Sequence, residues 1–283
     1  MASVLVLKDK VFKLFFSLLG MGKVIGILSL KGGVGKTSSV VSLGAALASF
    51  GKKVLLVDAN FSAPNLGIHL NVINPEKTIH HVLNGDFSIK EAIHQLDSFD
   101  LIPASMYPKK QFDPLKLKEK IKQLKGDYDF VLIDSSPALN NETLAAIVSS
   151  DELFVVSTPD YSTLTMTLKA IALAKKRGTP ISGLILNKVY NNKFELSLED
   201  IEKTSEVPVL AVIPHDVGVL KAQYYFTPST YLKPNSNLSI EYKKLAACLT
   251  GEKYAPFRIK EIFQNVSPKR QDVNRELFYK TIF

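Results

Sequence analysis

Hydrophobic and polar residues alternate along this chain in two rhythms. Runs dominated by β-branched and other apolar residues recur at 24–28, 53–57, 130–133, 153–157, 181–187 and 207–213. Runs of this kind, with no polar face, suit strands buried between two layers. Between them, apolar positions recur at three- and four-residue spacing and predict helices over 36–50, 114–125, 141–149, 163–176, 196–204, 216–224 and 237–249. Residues 78–95 read as helical stretches broken near Asn84-Gly85-Asp86, and 99–103 as one more short strand. Strand alternating with helix predicts an α/β fold, a mostly parallel sheet sandwiched between helices. No internal repeat and no low-complexity linker interrupts the pattern.

The rhythm holds from about residue 23 to 250, which is the expected domain, and both ends differ from it. In the extension 1–22, Val11-Phe12-Lys13-Leu14-Phe15-Phe16-Ser17-Leu18-Leu19 is apolar but broken by Lys13. It is shorter than the roughly 20 residues a spanning helix needs. Wound as a helix, it sets Lys10, Lys13 and Ser17 on one stripe and Phe12, Phe15, Phe16 and Leu19 on the rest, a form that lies in a membrane interface. A plainer reading stands beside it: Met21 opens directly into the first strand and could be the start. In the tail 251–283, Phe257, Ile259, Ile262, Phe263 and Val266 form an apolar stripe, Ser267-Pro268 breaks it, and Val273, Leu277, Phe278 and Ile282 resume it among basic residues. Docking on the protein's own sheet or a partner, and docking on a membrane, are both open for this tail.

Charge sharpens this division. The net +8 of the 283 residues is concentrated at the ends. Residues 1–23 carry four lysines against Asp9, and residues 251–283 carry seven basic against four acidic side chains, a net +3 at each end. The long middle is close to neutral. Basic ends on a neutral body point to an anionic surface met by the ends. A hydrophobic share of 46% is ample for a core. The one cysteine, Cys248, excludes a disulfide framework or a thiolate metal site within the chain and reads as a small core residue on a late helix.

The chemistry begins at the first strand's end. Lys31-Gly32-Gly33-Val34-Gly35-Lys36-Thr37-Ser38 lies between a buried strand and a helix. A glycine-rich turn there aims backbone N–H groups and the positive end of the helix at one point, which suits a nucleotide's phosphates. Lys36 would reach the β- and γ-phosphates, and the Thr37 hydroxyl would ligate Mg²⁺. Two further strands end in aspartates, Asp58 and Asp134. In a parallel sheet the carboxyl ends of the strands open onto the ligand crevice. Asp134 is therefore a candidate to hold Mg²⁺ through water, with Asp58 at the equivalent end of the second strand.

The general P-loop pattern wants glycine where this chain has Leu30, and it has no second lysine at Lys31. This narrower form resembles the deviant Walker A box of the MinD/ParA family of ATPases. Other segments extend the resemblance: Asp58-Ala59-Asn60 with Asn65-Leu66 is similar to switch I, and Asp134-Ser135-Ser136-Pro137-Ala138 to switch II. Asn187-Lys188-Val189 resembles the strand end that reads adenine, and Ile213-Pro214-His215-Asp216 the turn that packs against the base. The resemblance implies the P-loop NTPase fold of that family, ATP and Mg²⁺ as ligands, and a slow ATPase that acts as a switch. It also implies an ATP-dependent homodimer in which Lys31 reaches the partner's phosphates, with Asp160 near this lysine. Asn60 stands where the family carries a second switch I acid that places the attacking water. An amide still orients water but takes no proton, so the departure implies slower, partner-dependent or lost hydrolysis.

Within the family the MinD side is favoured: a cytoplasmic switch, peripheral at the inner face of the membrane, that positions a structure such as the division site and answers to an activating protein. The alternatives are a ParA-like partition ATPase, using Lys169, Lys175, Lys176 and Arg177 on DNA, and a nucleotide-binding adaptor with little hydrolysis. The neutral body counts against DNA. Guanine is disfavoured because Tyr190 stands where an Asn-Lys-x-Asp motif needs aspartate, and Cys248 alone excludes the iron–sulfur relatives.

Overall fold

The computed structural model describes residues 22–108, 110–190, 193–256 and 269–282. The expected amphipathic helix near 10–19 and the stripe from Phe257 to Val266 lie outside them. Among the described residues there are eight strands, seven of them from the apolar runs and β3 beside them: β1 (Lys23–Leu28), β2 (Val54–Ala59), β3 (His94–Gln95), β4 (Asp100–Ile102), β5 (Phe130–Ser135), β6 (Glu152–Ser157), β7 (Ile181–Val189) and β8 (Val209–Pro214). They join in one sheet of order β3-β4-β2-β5-β1-β6-β7-β8. All neighbours are parallel except β3 and β4. The expected α/β architecture with a mostly parallel sheet is the observed one.

The strands have no polar face because both faces are covered. Ile25 and Ile27 of β1, Leu56 of β2, Leu132 of β5 and Phe154 of β6 point to one side. There they pack on α1 (Lys36–Ser49) and α10 (Asn237–Thr250). Leu55, Val57, Val131 and Ile133 alternate to the other side, toward α3 (Ile79–Asn84), α4 (Leu117–Lys122) and α5 (Asn141–Ser149). Leu153, Val155, Leu184 and Leu186 meet α6 (Tyr161–Arg177) and α7 (Leu198–Ser205) on that same side. This two-residue alternation is the pleat of a sheet in a three-layer stack. The shorter helices are α2 (Leu66–His69), α8 (Gly218–Tyr224) and α9 (Ser229–Leu232). Gly44 lets α1 lie close on the sheet, since a β-carbon there would fall 2.6 Å from Leu56 Cδ2.

Residues 78–95 form helical stretches broken at Gly85, as expected, except that His94 and Gln95 are a strand. α3 ends at Gly85, whose φ of 84° is the left-handed conformation that glycine adopts without strain. One 3₁₀ turn follows at Ile89–Ala92, and His94 and Gln95 then pair antiparallel with Leu101 and Asp100. The open edge of β4 offers backbone partners that two more helical residues could not match.

The C-terminal segment α11 (Arg270–Ile282) docks on the body, but not by the stripe its apolar residues suggest. Val273 and Leu277 are exposed, while Gln271 and Arg275 are buried and Phe278 packs on the core. Arg275 donates from Nη1 to Leu210 O at 2.8 Å and to Glu241 Oε2 at 3.0 Å, and from Nη2 to Asp272. A buried arginine is tolerated only with such partners. Cys248 is buried as expected, and burial pushes its thiol up to about 11.

Replacing Arg275 by alanine leaves buried Glu241 with only the more distant ammonium of Lys244, at 3.9 Å. Urea unfolding of Arg275→Ala should show a loss of about 3 kcal/mol. Lys280→Ala, which breaks only the exposed pair with Glu276, should change stability by less than about 0.5 kcal/mol. Equal effects of the two would show that the Arg275 network carries no stability.

Candidate functional site

β1 runs straight into the glycine turn, and α1 leaves it with Gly35 at its first boundary position. Gly35 has φ of 91°, and a β-carbon on it would fall 2.2 Å from Asn187 Nδ2, so both conformation and space require glycine. A β-carbon on Gly32 or Gly33 would meet nothing within 4 Å. The space they face is a cavity of about 370 Å³ that the whole stretch Lys31–Ser38 lines. No side chain caps α1, so its first N–H groups face that cavity without a protein partner from a cap.

Beneath the turn the sheet brings the two aspartates together. β1 lies beside β5, which pairs with β2 so that Asp58 and Asp134 are direct neighbours. Both are fully buried. Lys36, only 7% exposed, donates from Nζ to Asp134 Oδ1 at 2.5 Å, and the Thr37 hydroxyl donates to Asp134 Oδ2 at 2.6 Å. Asp58 accepts backbone N–H bonds from Asn60 (3.0 Å), Asn65 (3.2 Å) and Leu66 (3.0 Å). Burial, and then the neighbouring Asp134, push its carboxyl up to about 7 against the pull of those N–H groups and of Lys36.

The other expected site residues are placed as follows. Lys31 lines the cavity, but its ammonium is held at the start of α6, donating to Ser162 Oγ at 2.8 Å with Asp160 Oδ1 at 3.7 Å. Asp160 caps α6. Burial raises its pKa, yet hydrogen bonds from Thr158 and Thr163 and the charge of Lys31 together hold it below the ordinary carboxylate range. Asn60 lines the cavity, is 4% exposed, and donates from Nδ2 to Ala63 O. Asn187 lines the cavity and donates from Nδ2 to Val34 O at 2.7 Å. Pro214 lines the opposite wall with His215, whose ring stacks on Tyr190 at 4.4 Å between centroids.

Lys188, named in the sequence only as part of the strand end Asn187-Lys188-Val189, donates to Gly33 O at 2.6 Å. Other lining residues had no signal in the sequence. His69, Val217, Leu220 and Gln223 complete the wall from α2 and α8. Burial holds the His69 imidazole below its ordinary range. These segments fall between the motifs, and only packing brings them to the cavity.

The donor set fits a magnesium–nucleotide pair. Two carboxylates and a hydroxyl are hard oxygen ligands suited to Mg²⁺, and a glycine turn with free N–H groups and a buried lysine suits phosphate.

Comparisons with known proteins agree. A family model described as an AAA domain matches residues 22–181. An uncharacterised ATP-binding protein of Methanocaldococcus jannaschii is 38% identical over 237 residues, 83% of this chain and 90% of that one. The septum site-determining protein MinD of Thermotoga maritima is 32% identical over 243 residues, 82% of this chain and 89% of that one. Among solved structures, the septum site-determining protein MinD of Pyrococcus horikoshii, complexed with Mg-ADP, matches with a TM-score of 0.77 at 36% identity. That match covers 81% of this chain and 96% of the other.

Asp58 makes the ligand-free protein pH-sensitive. Its folded pKa lies above the unfolded value of 3.8, so between about pH 4 and pH 7 the native state binds the proton more tightly. Its contribution therefore lowers stability as pH rises through that window. Urea unfolding of wild type and Asp58→Asn should show wild type losing stability relative to the variant from pH 4 to pH 7, then a constant gap. A gap independent of pH would refute the assignment.

Proposed function

Because the chain belongs to the MinD/ParA family of P-loop ATPases, we propose that it is an ATP-binding, slowly hydrolysing dimeric switch that positions a cellular structure such as the division site. The observation that carries this reading is the convergence of Lys36 and Thr37 on buried Asp134, under an uncapped helix start. The backbone N–H groups from Gly32 to Ser38, with Val34, would cradle the phosphates, and Lys36 would exchange its bond to Asp134 for the phosphate oxygens. Bound with the nucleotide, Mg²⁺ would neutralise part of the phosphates' charge. Thr37, Asp58 and Asp134 are the residues that would hold it.

Base selection follows from donor and acceptor geometry. Val34 O can only accept, so the Asn187 NH₂ gives it one N–H, and Oδ1 would be the acceptor offered to a ligand. An acceptor at that point suits the exocyclic amino group of adenine and opposes the carbonyl of guanine. Pro214 would flank the base.

Lys31 would serve the phosphates of a second copy, which ties hydrolysis to dimer formation. Support for a face-to-face partner lies in exposed apolar side chains: Val217 and Leu220 on the cavity wall, Leu139 two residues after the lining Pro137, and Tyr161 beside the Ser162 that holds Lys31. Asn60, tied to Ala63 and unable to take a proton, argues for slow turnover. An activating partner protein would supply what position 60 lacks. The basic ends support an anionic membrane as the surface. The DNA alternative is weaker: Lys175 pairs with Glu206 at 3.3 Å, and the basic end of α6 offsets that helix's own dipole.

Phosphate release from ATP and Mg²⁺ should be slow in wild type, absent in Lys36→Met, and about tenfold faster in Asn60→Asp, which restores a carboxylate. Equal turnover in wild type and Lys36→Met would sink the ATPase reading. The full chain should also pellet with anionic liposomes in ATP but not ADP. Retention on duplex DNA instead, at the same salt, would transfer it to the partition class.

A further inference from the structure

Asn187 and Lys188 are consecutive residues, yet both side chains reach the same turn. Asn187 Nδ2 donates to Val34 O at 2.7 Å and Lys188 Nζ to Gly33 O at 2.6 Å. In a regular strand successive side chains point to opposite faces, so one of the two ought to point away. Two features lift that bar. Lys188 has φ of 55°, in the left-handed region, and the pairing of β7 with β8 slips register between Leu186 and Val189. A residue with a β-carbon rarely adopts that conformation, and such strain persists where the surroundings hold it, most often near functional sites.

We propose that Lys188 is a positioning residue which, with Asn187, straps two successive carbonyls of the glycine turn and so keeps its N–H groups aimed into the cavity. The turn needs such a restraint. A β-carbon on Gly32 or Gly33 would meet nothing within 4 Å, so no side-chain packing limits the turn there, and Gly33 already has φ of 77°. A plane that rotates would bring a carbonyl oxygen toward the phosphates in place of an N–H. A donor on each of the Gly33 and Val34 carbonyls opposes that rotation, and the one on Gly33 is an ammonium, which makes the stronger bond. The cradle is thus ordered before a ligand arrives, and less ordering remains to be done on binding. The effect on ligand release rests on the nucleotide-binding reading above, but the strap itself does not.

The test uses the full chain with Lys188→Met, which keeps the stem without the donor, and Lys188→Arg, which keeps a donor at the same φ. In nucleotide-free protein, backbone ¹⁵N order parameters at Gly32, Gly33 and Gly35 should be near 0.85 in wild type and Lys188→Arg, and below about 0.6 in Lys188→Met. With Mg²⁺, N-methylanthraniloyl-ADP should leave Lys188→Met about tenfold faster, the loss expected for one charge-assisted hydrogen bond. Lys188→Arg should release it within about threefold of wild type. Unchanged order parameters in Lys188→Met would overturn the strap. So would equal loss of order in both variants with a lowered urea midpoint, which would mark a purely structural role. Failure of wild type to bind the probe would refute the nucleotide reading instead, and the order parameters would still decide the strap.

Discussion

The buried ion pair of Lys36 with Asp134 is the constraint on which the rest of this structure depends. A parallel register sets two carboxylates side by side at the ends of β2 and β5, out of reach of water. Neither could stay there unpaired, because an uncompensated buried charge costs several kcal/mol. The fold answers with one ammonium from the start of α1, one hydroxyl, and three backbone N–H groups from the loop after β2. That loop is therefore shaped around Asp58, and the glycine turn around Lys36. The arrangement is stable enough to fold and poor as a resting place for charge, which is how a site built for another ligand looks when its own side chains substitute for it.

A second requirement follows from burying α1. Its residues are covered on nearly every side, so its hydroxyls and carbonyls must find partners in neighbouring helices. Tyr242 of α10 donates to Ser39, Ser42 meets Ser229 of α9, and Tyr231 donates to Ala45 O. The glycine turn is thus fixed at its far end by the C-terminal half of the chain. Glu241, the residue beside Tyr242, faces α11 instead and holds Arg275.

Most of the fold was legible in the sequence, because buried strands and helices announce themselves by period. The glycine turn was legible for the same local reason, and Asp58 and Asp134 because a carboxylate after an apolar run marks a strand end. The remainder is non-local. Nothing near Lys31 in sequence shows that Ser162 holds its ammonium, and nothing near Lys188 shows that its strand breaks alternation. Hydropathy also misread α11, where the buried position is an arginine whose partners lie on β8 and α10. The paired residues of β3 were hidden inside a helical pattern, since a two-residue strand has no period of its own.

The sheet's far edge shows what α11 does beyond packing. At Val209, the outward N–H donates to Glu202 of α7 at 2.8 Å and the carbonyl accepts from Asn274 of α11 at 2.8 Å. Leu210 O is taken by Arg275. An edge strand with free backbone groups is a template for pairing with another chain, and aggregation begins there. On β8 side chains occupy that template at Val209 and Leu210, which blunts this edge of the sheet there. A strand from another chain laid along β8 at Val209 and Leu210 would first have to displace Glu202, Asn274 and Arg275 from the backbone groups they hold.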